Sequence, residues 1–137
     1  MLKKIITIVL CCLITGLSIR PTELQAKMYN ESSESTRSVV RNVSTSRSHY
    51  VSFTRPDTNA SWVGTVTVYI NGTITVNGSG NITSASFSGS TSQSTYLYVT
   101  TTRTISGSAV TVNYTIHTRN GASYLSGNVS GSVTFYA

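Results

Sequence analysis

The stretch Trp62-Val-Gly-Thr-Val-Thr-Val-Tyr-Ile-Asn-Gly-Thr-Ile-Thr-Val76 decides the fold. Its large apolar residues Trp62, Val66, Val68, Ile70, Ile74 and Val76 all occupy even positions. A repeat of two is that of a β-strand, whose side chains point alternately to opposite faces. Asn71-Gly72 is a strong turn signal inside this run, and parity limits how the chain can turn there. A two-residue loop would pair Val68 with Thr75 and put apolar groups on both faces. A three-residue loop Ile70-Asn71-Gly72, with Gly72 in the left-handed bulge position, pairs Val68 with Ile74 and Val66 with Val76. The sequence therefore predicts a bulged hairpin here. The competing arrangement, one strand from 62 to 76, would be unusually long.

The same texture continues to the C-terminus. No window repeats apolar residues at helical spacing, while β-branched residues and Tyr are abundant. Upstream, short strands are expected over 38–44 and 49–55, the second with Val51 and Phe53 in phase, ended by Pro56-Asp57. Downstream, Asn77-Gly78-Ser79-Gly80 turns the chain into a strand over 82–88, whose phase slips between Ile82 and Ala85 as at a bulge. Residues 89–94 read as loop and 96–105 as a strand with Leu97 and Val99 on one face. A final hairpin about Asn120-Gly121 would pair Ile116 with Leu125, Tyr114 with Gly127, Val112 with Val129 and Val110 with Gly131, with Val133 and Phe135 extending that face. Each glycine would then be covered by a larger cross-strand side chain. Seven or eight such strands predict an all-β fold, a small antiparallel β-sandwich or partly open barrel.

The N-terminus reads as an export signal over 1–26. Lys3-Lys4 precedes an apolar run from Ile5 to Ile19, too short to span a bilayer, with cleavage expected after Ala26 or after Ser18. Residues 27–37 form a polar leader and 38–137 a single domain. Both cysteines, Cys11 and Cys12, lie within the apolar run, so cleavage leaves a product without disulfides, thiol nucleophile or Cys-based zinc site. The expected location is secreted or in the cell-envelope space, and the Lys-Lys start suits a bacterium. Under that reading the Asn-x-Ser/Thr triplets at Asn30, Asn42, Asn59, Asn71, Asn77, Asn81, Asn113 and Asn128 follow from composition rather than glycosylation.

Charge excludes most chemistry. From Gly64 to Ala137 the only formal charges are Arg103 and Arg119. The cleaved chain has Lys27 and six arginines against Glu31, Glu34 and Asp57. Glycoside hydrolysis usually requires a pair of carboxyl groups, and calcium sites require several, so neither is expected. His49, His117 and Asp57 would make a two-His, one-carboxylate metal set, but they come from separate segments without local spacing, and no metal or cofactor is expected. No Gly-x-Ser-x-Gly nucleophile motif or phosphate-binding glycine loop occurs. Four arginines between Arg37 and Arg55 suit a solvated basic segment, and no nucleic-acid partner is expected.

One pattern points to contact. Tyr69, Tyr96, Tyr98, Tyr124 and Tyr136 alternate against neighbouring aliphatic positions and should face outward. With His117, placed across from Tyr124, and Arg119 they form the candidate binding surface. The leading expectation is a non-catalytic secreted module that binds an extracellular glycan, protein or cell-surface component. The alternatives are a subunit that self-assembles into a homo-oligomer by edge-strand pairing, and a membrane-inserting β-hairpin.

Overall fold

From Val39 to Thr54 the odd positions keep one phase, and the chain forms a single strand, β1 (Val39–Thr54). The computed structural model describes residues 37–137, so the expected export signal and the expected leader up to residue 36 lie outside the described residues. The two short strands expected over 38–44 and 49–55 are thus one element. Arg41 and Arg47 hid the continuity, because they occupy positions in phase with Val51 and Phe53 where an apolar residue was the signal sought.

After the loop 55–60, β2 (Ser61–Val76) runs antiparallel to β1 over its whole length, from Thr54↔Ser61 to Val39↔Val76. The expected bulged turn at Ile70-Asn71-Gly72 is absent, and the strand is unbroken. Length had counted against this arrangement, yet the parity of the apolar residues already satisfied it. Gly72 sits mid-strand between Val43 and Phe87, and the Phe87 ring occupies the space a Cβ would need. The glycine thus makes room for a cross-strand aromatic instead of a turn.

β3 (Ile82–Thr91) pairs with the other side of β2, and its register shifts between Thr75 and Val76, the bulge expected near Ile82. The strand includes Gly89 to Thr91, which the sequence suggested was loop. Gly89 lies under Val99 and Thr101 of β4 (Leu97–Ser106), so its missing side chain allows close packing there. A two-residue turn at Gly107-Ser108 leads into β5 (Ala109–Thr118).

The Asn120-Gly121 turn forms as expected. Both residues have positive φ, 54° and 79°, and the Ala122 amide donates to the Arg119 carbonyl at 3.1 Å. The strand leaving it does not return along β5. β6 (Ser123–Gly127) crosses to the other sheet and pairs with the end of β1, and only then does β7 (Ser130–Tyr136) pair with β5. The partners of Tyr114, Val112 and Val110 are therefore Gly131, Val133 and Phe135, four residues beyond those expected. An even offset preserves every face, so alternation could not distinguish the two registers. Gly127, at φ 98°, permits the crossing, since a Cβ there would strike the Tyr50 carbonyl oxygen.

The described residues thus build two antiparallel sheets, β3-β2-β1-β6 and β4-β5-β7, an all-β sandwich. Inward residues such as Phe53, Ile70, Leu97 and Ile116 are almost fully buried. Each contributes roughly 1.5–3 kcal/mol by leaving water.

Candidate binding surface

Alternation leaves each sheet an outward face, and the two resemble each other chemically. On the first, the even positions of β1 from Asn42 to Thr54 and the odd positions of β2 from Thr65 to Thr75 lie beside Ser84, Ser86, Ser88 and Ser90 of β3. On the second, Tyr98, Thr100, Thr102 and Thr104 lie beside His117, Thr115, Asn113 and Thr111, followed by Ser130, Ser132, Thr134 and Tyr136. Neither outward face bears a Lys, Arg, Asp or Glu. The arginines within strands, Arg41, Arg47 and Arg103, all occupy the other parity.

The tyrosines of the candidate surface are divided among separate places. Tyr69 is exposed on the first outward face between Ser46 and Ser90. Tyr98 and Tyr136 share the second face but lie at opposite ends of β5, against His117 and Ala109. Tyr124 stands in β6, 84% exposed, with a φ of 55°. Tyr96 is half-buried and belongs to a loop junction. The Arg55 guanidinium lies 5.1 Å from its ring centre and donates to its hydroxyl at 3.2 Å and to Asp57 at 2.9 Å. The Tyr96 carbonyl accepts from the Arg119 amide, while the Asn120 side chain donates to Thr95. Arg119 is therefore exposed at a turn whose backbone is tied down.

At that junction the Tyr96 hydroxyl and Asp57 hold the Arg55 guanidinium above its ordinary value. Burial pushes the Asp57 carboxyl up, but hydrogen bonds from Arg55 and Tyr96 and the charge of Arg55 outweigh it. The group titrates below the ordinary carboxylate value.

The two members whose side chains are brought into contact are Tyr98 and His117. They are cross-strand partners, with ring centres 5.1 Å apart and planes inclined by 25°. The expected neighbour of His117 was Tyr124; the sheet switch of β6 removes Tyr124 and leaves His117 beside Tyr98. Thr100, which alternation did not single out, completes the group with its hydroxyl 2.9 Å from His117 Nε2.

His49, the remaining histidine of the two-His, one-carboxylate set, is held inside the fold with a protein partner at each ring nitrogen. It lies 5% exposed, with Nδ1 3.0 Å from the Asn128 carbonyl and Nε2 2.9 Å from the Tyr114 hydroxyl. A carbonyl can only accept, so in the neutral ring Nδ1–H donates to Asn128 and Nε2 accepts from Tyr114. Burial pushes the Tyr114 phenol up, and the charge of Arg47 pulls it partly back. Both ring nitrogens are engaged. No group of three His, Cys, Asp or Glu gathers among the described residues, and His49, His117 and Asp57 lie apart. The phase of His49 with Val51 and Phe53 was the signal that it faces inward.

The chain matches no protein-family model, no curated protein and no solved structure. The chemistry of the surface must therefore be read from its own residues. Among them, sequence reasoning overlooked Tyr50. It is 66% exposed on the same outward face as Tyr69, a relation visible only once β1 is one strand in register with β2.

Proposed function

We propose that the protein is an exported, non-catalytic module that binds a neutral extracellular glycan on the outward face of β4-β5-β7. The observation that carries this reading is the stacked Tyr98–His117 pair within a charge-free field of threonine hydroxyls. A sugar ring presents an apolar C–H surface and a rim of hydroxyls. An exposed aromatic platform suits the first, and Thr, Ser and Asn donate to and accept from the second. The absence of formal charge on this face favours a neutral polymer over a charged one. Arg119, just past the end of β5, would reach the rim of a ligand lying across Tyr98.

The test is a glycan array probed with the full-length protein, followed by titration of the best hit against Tyr98→Ala and His117→Ala. Each substitution should weaken binding about tenfold or more, as expected for loss of an aromatic anchor. The fluorescence of Trp62, the only tryptophan, checks the fold. Tyr69→Ala, on the opposite sheet, should bind normally. Equal loss in all three variants, or preference for anionic glycans, would defeat the proposal.

A further inference from the structure

We propose that the free edge of β1, from Val39 to Ser48, accepts an extended acidic peptide of another protein as an added strand. β6 pairs with β1 only over Val51–Thr54, so among the described residues Val39–Ser48 has β2 on one side and no strand on the other. Such an edge offers main-chain hydrogen bonds to any strand that fits it.

The side chains on its inward parity specify the fit. Val39, Arg41, Val43, Thr45 and Arg47 alternate there, in phase with the buried Val51 and Phe53. Val43 packs beside the cluster of Ile74, Val76 and Val110, together with Phe87 and Phe135. An apolar residue opposite Val43 would extend that core. Arg41 and Arg47 are exposed, and no ion pair reaches either among the described residues. The one carboxylate side chain of the described residues, Asp57, is bonded to Arg55 beyond the far end of β1.

The arginines also select against other occupants. In an antiparallel β1–β1 pairing centred on Ser44, Arg41 of each copy would lie opposite Arg47 of the other, and like charges directly opposed are destabilising. Inward-pointing charge is a common guard against self-pairing at an edge. The chain's own leader is a poor match, because Glu31 and Glu34 are three residues apart and would face opposite sides of a strand. Arg41 and Arg47 share a face and are separated by about 20 Å of strand. They call for carboxylates at positions i and i+6, with small apolar residues at i+2 and i+4.

A labelled, end-capped peptide Glu-Thr-Val-Ser-Val-Thr-Glu meets this pattern and can be titrated into the full-length protein by fluorescence anisotropy. Binding should be saturable and weaken with salt, and hydrogen exchange should slow in Val39–Ser48. The double variant Arg41→Glu/Arg47→Glu should bind this peptide at least about tenfold more weakly, given two ion pairs of modest strength. It should instead bind the peptide with Lys in place of both Glu. That exchange of preference guards against mere misfolding of the variant. The proposal is overturned if the acidic peptide does not bind, or if both peptides bind both proteins alike. It is also overturned if protection appears elsewhere, or if the unliganded protein dimerises with Val39–Ser48 protected, which would make a second copy the occupant.

Discussion

Replacing Tyr114 by Phe isolates a single buried hydrogen bond. The Tyr114 hydroxyl is 2.9 Å from His49 Nε2, and the two residues are 3% and 5% exposed. Phe keeps the ring over Gly131 and gives up only the hydroxyl oxygen, which also lies against that glycine. What changes is His49: its Nδ1 proton remains committed to Asn128, and Nε2 keeps a buried lone pair without a donor. Leaving a buried acceptor unsatisfied costs about 1–3 kcal/mol. With an m-value near 2 kcal/mol/M for a domain of this size, the urea midpoint should fall by roughly 0.5–1.5 M. Trp62 packs 5.1 Å from Phe53 and reports unfolding by fluorescence. The pH dependence supplies a second, independent reading. Burial raises the folded phenol above its ordinary value of 10.0, so the unfolded phenol ionises first. Between the two values the folded state holds more protons at this group, so its contribution to wild-type stability falls as pH rises above about 10. Tyr114→Phe should lack that component. A variant as stable as wild type at neutral pH, with the same alkaline loss, would refute the account of the His49–Tyr114 pair.

Other consequences follow from the strand positions of particular glycines and from the loop ion pair. Gly72→Ala should destabilise by about 1–3 kcal/mol through overpacking against Phe87 and the Ser86 carbonyl; an unchanged urea midpoint would mean that the strand relaxes freely there. Gly127→Ala should be worse than Gly80→Ala. Both have positive φ, but a Cβ at 127 meets the Tyr50 carbonyl, whereas at 80 nothing lies within 4 Å. Thermal melts of the two variants rank them directly. Asp57 titrates low in the folded state, so its contribution is present above the ordinary carboxylate value and is lost as pH falls through the depressed one. Asp57→Asn should therefore flatten the acid side of the stability profile, most visibly at low ionic strength, and an unaltered acid profile would count against the Arg55 pairing.

Much of the architecture was legible because alternation is a local property. Parity alone assigned Val66, Val68, Ile70, Ile74, Val110, Val112, Tyr114 and Ile116 to the interior, and all are buried. The bulge near Ile82 and the left-handed Asn120-Gly121 turn were equally readable, since phase slips and positive φ leave marks in the residues themselves. The errors have a common source. Asn71-Gly72 carries the composition of a turn, but β1 and β3 flank it on both sides and hold it extended. The candidate surface suffered in the same way: its five tyrosines shared a parity within their own strands, yet those strands lie in different sheets or end in loops.

By itself, the sequence determined which side of each strand faces inward and which face lacks charge, because a period of two needs no partner to be read. Only the tertiary structure decided which strands are neighbours. Registers that differ by an even number bury the same residues, so alternation cannot choose among them. The choice rested on contacts between distant residues: Gly127 passing against Tyr50, Phe87 filling the space over Gly72, and Tyr114 lying over Gly131 with its hydroxyl on His49. Those contacts carry β6 to the other sheet and leave Tyr98 beside His117 on a neutral outward face.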